Sequence, residues 1–199
     1  MTAGEWWHHL SVWAARQGQP PSHVLVLGTG LLAAAAVASR RVWPVARTVV
    51  TIAHEGGHAL AGYLAAPLLG LGAAALLAAG HLLSVLLLTL AGLAGLAISI
   101  RNAYGVLAVG LTAAGIVAVL WRGAALPEAL LGYVMTWFLL FGGLRPVLEL
   151  QRGRRRRPRT SNDADQLARL TGLPGGLWVG VFALVAVGAL ALGGWLLIR

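Results

Sequence analysis

The chain has 199 residues, 58% hydrophobic and only 11% charged, with a net charge of +9. That composition excludes a soluble domain and fits an all-α, polytopic bundle of transmembrane helices. Cysteine is absent, so disulfides and thiolate metal ligands are excluded, and any zinc must rest on His and carboxylate.

All fifteen basic residues are Arg, and Ala and Gly are abundant. This bias points to a GC-rich bacterial genome, and so to a multi-pass protein of the bacterial cell membrane. The basic charge gathers in one loop beside membrane spans. There it acts as a topological signal and touches anionic lipid, and no nucleic acid partner is expected.

Residues 1–22 form an N-terminal tail. It has no basic region ahead of an apolar core, so it does not read as a cleavable signal peptide. Trp6, Trp7, His8, His9 and Trp13 have the character of an interfacial segment. His8-His9 has no acidic residue beside it and reads as incidental rather than metal-binding.

The transmembrane core runs over residues 23–144. Apolar runs predict spans at 23–39, 47–80, 81–100, 103–121 and 129–144, with a last span over 175–199 that is apolar to residue 198. The stretch 47–80 is too long for one straight span and too short for two with a turn. One tilted helix kinked at Pro67 fits it, as does one span with a re-entrant segment. Counted as one crossing it gives about six spans, with seven as the alternative. Six spans put Arg40, Arg41, Arg47, Arg101 and the cluster from Arg145 to Arg169 on one side, and only Arg16, Arg122 and Arg199 on the other. That Arg-rich side is the cytoplasm. Seven spans would separate Arg40 and Arg41 from the cluster, so six is preferred.

Inside the second span lies His-Glu-Gly-Gly-His at residues 54–58. On a helix His54 and His58 stand one turn apart on one face, so both imidazoles can bind one Zn²⁺. Glu55 follows the first ligand and suits a general base acting on water. Chance, or a hydrogen-bonded core histidine pair, would also give two histidines at this spacing. Neither requires Glu55 at its offset, nor the helix-weakening pair Gly56-Gly57. Such groups are costly to bury in lipid without a task or a partner. His54 is seven residues from Arg47, about 10 Å below the cytoplasmic surface on a helix, so zinc there needs a wet route from that side.

Two histidines leave a hydrolytic zinc site short of one protein ligand. Glu5 is in the tail, Glu128 is on the outer side, and Glu149 follows a span end. Asp163 and Asp165 lie in the Arg-rich cytoplasmic loop, 145–174, within a short helical pattern from Ser161 and Asn162 to Thr171-Gly172. Either acid is placed to complete the shell. Equally, both suit a helix N-terminus electrostatically and need no metal.

Four segments carry a resemblance to a known family. They are 51–60 (Thr-Ile-Ala-His-Glu-Gly-Gly-His-Ala-Leu), 61–67 (Ala-Gly-Tyr-Leu-Ala-Ala-Pro), 100–105 (Ile-Arg-Asn-Ala-Tyr-Gly) and 161–174 (Ser-Asn-Asp-Ala-Asp-Gln-Leu-Ala-Arg-Leu-Thr-Gly-Leu-Pro). In this order they resemble the site-2 protease family of intramembrane zinc metallopeptidases, in its compact bacterial branch. The resemblance implies His54 and His58 as zinc ligands, Glu55 as catalytic residue, and Asp163 as third ligand with Asp165 as its rival. It also implies hydrolysis of peptide bonds in transmembrane protein or peptide substrates. Relatives carry a polar stretch after the metal helix, read as a β-hairpin, before Gly-Tyr-x-x-x-Pro. In this chain Ala59-Leu60-Ala61 leads directly into Gly62-Tyr63, and that stretch is missing.

Two other functions fit the composition. A non-catalytic homologue would bind or scaffold membrane partners, a reading favoured by the missing hairpin and opposed by the intact His54, Glu55 and His58. A metal or proton transporter would line a path with His and Asp, but other intramembrane acids are scarce.

The Arg pattern predicts residues 145–174 in the cytoplasm and both termini outside. Because the chain has no native cysteine, a single Cys at Arg155 should be labelled in intact cells only by a membrane-permeant maleimide. Labelling by an impermeant reagent would overturn the assignment.

Overall fold

Runs of Leu, Ala, Val and Gly with no polar face form helices where the surroundings are themselves apolar. The computed structural model describes residues 21–44, 46–47, 59–99, 103–156 and 163–199, and among them no strand occurs. The helices are α1 (His23–Ala38), α2 (Ala59–Ala78), α3 (Leu82–Ser99), α4 (Ala103–Arg122), α5 (Ala125–Arg156), α6 (Asp163–Thr171) and α7 (Gly175–Ile198). The fold is all-α, as composition requires.

Three stretches are long and apolar enough to cross a membrane: Gly105–Arg122, Ala125–Arg154 and Gly175–Ile198. The shorter apolar helices are His23–Ala38, Tyr63–Ala78 and Leu82–Gly95. Among the described residues, three of the six expected spans thus contain stretches of crossing length and three hold shorter apolar helices. Val24, Leu31, Leu88, Leu111 and Leu184 all point outward. For a bundle solvated by lipid, such a surface is ordinary.

Residues 48–58 lie outside the described residues, so the start of the second expected span is not defined. Its remainder is α2, which carries Pro67 in its interior. It ends at Gly80 (φ +80°), whose N–H donates to the Leu77 carbonyl (3.0 Å) while His81 N–H donates to that of Leu76 (2.8 Å). This double closure satisfies the last carbonyls and turns the chain straight into α3.

The fifth expected span differs. Its apolar run ends at Leu144, but α5 continues through Pro146 to Arg156. So residues 145–156 of the expected loop are helical. Two contacts explain the continuation. Arg145 Nε donates to Glu149 Oε1 at 3.1 Å, one turn on. Val147 is fully buried with Ala164, Leu167, Val179 and Phe182.

Helix α5 is the centre of the bundle. Trp137 Nε1 donates to the Val26 carbonyl at 3.1 Å, and Arg145 Nη1 to that of Ser39 at 3.4 Å, so α1 runs parallel to α5. Helix α2 runs antiparallel to it: Pro67 meets Gly143, Gly70 meets Leu140, and Leu77 lies near Gly132. Helix α7 is also antiparallel, with Gly193 on Leu140 and Gly194 on Trp137. Helices α3 and α4 share a second cluster, Leu86, Leu93, Val109, Ile116 and Leu120, beside Leu131 and Met135 of α5. The start of α2, the far end of α5, α6 and the start of α7 thus share one end of the bundle.

At Gly143 α2 and α5 nearly touch. An added Cβ would lie 2.6 Å from Pro67 Cδ and 2.9 Å from Pro67 N. The proline ring is rigid and cannot yield. We expect Gly143→Ala to destabilise the fold by about 1–3 kcal/mol. Gly92, with open space around it, should tolerate Ala or gain up to about 1 kcal/mol. Denaturant unfolding in detergent compares the two, and equal stabilities would contradict the close contact.

Candidate metal centre

His54, Glu55 and His58 lie outside the described residues. What the structure describes is the ground around them. Helix α2 opens at Ala59, the residue after His58. Its early residues Tyr63 and Leu64 pack against Val147, Ala164, Leu167, Val179 and Phe182. Tyr63 stacks on Phe182, with ring centroids 5.1 Å apart and planes 14° from parallel. So the chain leaving His58 enters a cluster shared by α2, α5, α6 and α7. No strand stands between the motif and Gly62-Tyr63, because α2 is continuous from Ala59.

Helix α6 sits on that cluster and touches α2 directly. Its local pattern explains it. Ala164 and Leu167, three residues apart, are buried, while Gln166, Arg169 and Leu170 are exposed. Gly172 (φ +72°) ends it by donating to the Ala168 carbonyl at 2.9 Å. Thr171 Oγ1 accepts from Trp178 Nε1 at 3.1 Å, tying the end of α6 to α7.

The two candidate aspartates have different settings. Asp163 is the first residue of α6, one turn before Leu167; its side chain lies outside the described residues. Asp165 forms an ion pair with Arg154, Nη1 to Oδ1. Glu149 pairs with Arg145. Of the other histidines, His23 starts α1 and His81 follows α2, both at the opposite end of the bundle. Among the described residues no group of three or more His, Cys, Asp or Glu is placed to hold a metal. The expected donor set, two imidazoles and a carboxylate, is chemically right for zinc.

Sequence reasoning missed two arginine contacts at this end. One is Arg154 with Asp165. The other is Arg145, whose Cζ lies 4.6 Å from the ring centroid of Trp43, on the segment between α1 and the motif. Only the Arg145–Glu149 spacing carried a signal in the sequence.

A family described as Peptidase M50B-like matches residues 59–193, more than half of the chain. The match begins directly after the motif at 54–58 and includes both aspartates. No curated protein and no solved structure matches the chain.

Arg145 holds Trp43, the Ser39 carbonyl and Glu149 together. Arg145→Ala should cost about 1–2 kcal/mol, chiefly through the partly desolvated cation–π contact. Arg145→Lys should recover only part of this, since lysine keeps the charge and loses the planar fork. Unfolding in detergent measures both, and an Ala variant as stable as the parent would refute the contact's role.

Proposed function

The chain belongs to the Peptidase M50B-like family, and on that premise we propose that it is a zinc-dependent intramembrane endopeptidase of the bacterial cell membrane. Its substrates would be transmembrane proteins or peptides. The observation that carries the reading is a juxtaposition. The helix that opens one residue after His58 packs against the helix that opens with Asp163.

In this reading His54, His58 and Asp163 hold the metal. When bound, zinc supplies Lewis-acid activation of a water and of the scissile carbonyl. Glu55 accepts the proton of the attacking water and returns it to the leaving amine. The lipid-facing helices keep bulk water away from the site, and the Arg-rich end is its access side.

A non-catalytic role as a membrane binding or scaffolding protein is the second reading. It is favoured by the continuity of α2 from Ala59, which leaves no hairpin between the motif and Gly62-Tyr63.

Purified protein should bind one Zn²⁺ per chain. His54→Ala or His58→Ala should abolish binding, because losing one of three ligands collapses the site. Asp163→Asn should weaken zinc more than Asp165→Asn does, since a neutral oxygen replaces the required anion. Glu55→Gln should keep the metal and lose cleavage of a transmembrane reporter. Zinc retained by His54→Ala would refute the metal site; zinc bound without cleavage would select the scaffold reading.

A further inference from the structure

The ion pair between Arg154 and Asp165 joins the end of α5 to the first turns of α6. Both side chains are largely shielded, at 23% and 30% exposure. A Cβ on Gly175 would stand 2.8 Å from Asp165 Oδ1 and 2.9 Å from both terminal nitrogens of Arg154. So the pair is pressed against the first turn of α7, where the helix N-terminus also favours a carboxylate. Three helices meet at one charge pair.

Helix α6 has only nine residues. A helix that short does not hold itself, and its placement comes from what it touches. Ala164 and Leu167 fix which face it buries, and they are apolar contacts that tolerate some rotation. A charge-assisted hydrogen bond is directional and does not. Residues two apart on a helix point about 200° from each other. Whatever fixes Asp165 therefore fixes the helix face on which Asp163 stands.

We propose that Arg154 is a positioning residue for the metal site: by holding Asp165 beside α7 it sets the rotation of α6, keeps Asp165 out of the metal shell and leaves the ligand role to Asp163. The inference rests on the reading of Asp163 as third ligand. It adds a reason why one of two neighbouring acids is used, and makes the far end of α5 part of the site.

The test uses the full-length protein in detergent and zinc alone as probe. Arg154→Ala should weaken zinc binding about tenfold or more, as loss of a ligand-orienting contact does, while the melting temperature of the metal-free protein stays near that of the parent. Reversing the pair, Arg154→Asp with Asp165→Arg, should restore most of the affinity. A second readout needs no metal. A Cys at the buried position Leu167 should be protected from maleimide in the parent background and become labelled when Arg154 is Ala. Three results would overturn the proposal with the metal reading intact: unchanged zinc affinity in Arg154→Ala, affinity lost only in step with the metal-free melting temperature, or no recovery in the reversed pair. A parent that binds no zinc, or a His54→Ala variant that keeps it, would instead remove the metal reading on which the proposal stands.

Discussion

Lipid gives two apolar helices no hydrophobic reward for meeting, so a membrane bundle is held by how closely its backbones can approach. In this chain two backbones come close where α2 crosses α5. Pro67 lies against Gly143, and Gly70 against Leu139 and Leu140. The same face of α5 takes α7, through Gly193 on Leu140 and Gly194 on Trp137. Small residues let the three backbones come together. Trp137, Tyr133 and Phe182 then fill the space that remains. One turn earlier in α2, Tyr63 and Leu64 pack with Val147 and Phe182.

At the arginine-rich end the forces change. Here the chain leaves the hydrocarbon and charged groups can be solvated in part. Arg145 and Arg154 each do two things, neutralising a carboxylate and joining separate segments. Exposed ion pairs contribute little, but these are only 19–40% exposed and packed against aromatic or backbone groups, where they hold geometry more than they add stability. Helix α6 is the one polar helix described. It turns Ala164 and Leu167 onto the bundle and leaves Gln166 and Arg169 outside.

Much of this was legible in the sequence. The apolar runs mark the long helices among the described residues, three of them with stretches of crossing length, because helices in lipid need no amphipathic pattern and show themselves by length. Helix α6 was legible through its alternation of apolar and polar residues and through Gly172 at its end. The extension of α5 was not. Its apolar run stops at Leu144 and Pro146 is a local signal to end a helix, and what overrides both is the burial of Val147 against another helix. The Arg154–Asp165 pair was hidden for a similar reason. The two residues belong to different helices, and only the fold-back of α6 brings them together. Of the candidate site, the expected ligand types and general base come from the spacing at residues 54–58, which lie outside the described residues. Local pattern does not separate Asp163 from Asp165, and what the structure adds is the pairing of Asp165 with Arg154.

The length of α5 has a mechanical meaning. Its 32 residues span about 48 Å as a straight helix, against a hydrocarbon layer of about 30 Å. The surplus either projects into the headgroups or is absorbed by tilt. Arg154 sits near the C-terminal tip of α5, about 16 Å along the helix from the Pro67–Gly143 contact. A change in bilayer thickness that alters the tilt of α5 would move this tip relative to that contact. Through Asp165 the displacement would pass to α6. The far end of α5 thus works as a lever arm whose load is the helix that begins with Asp163.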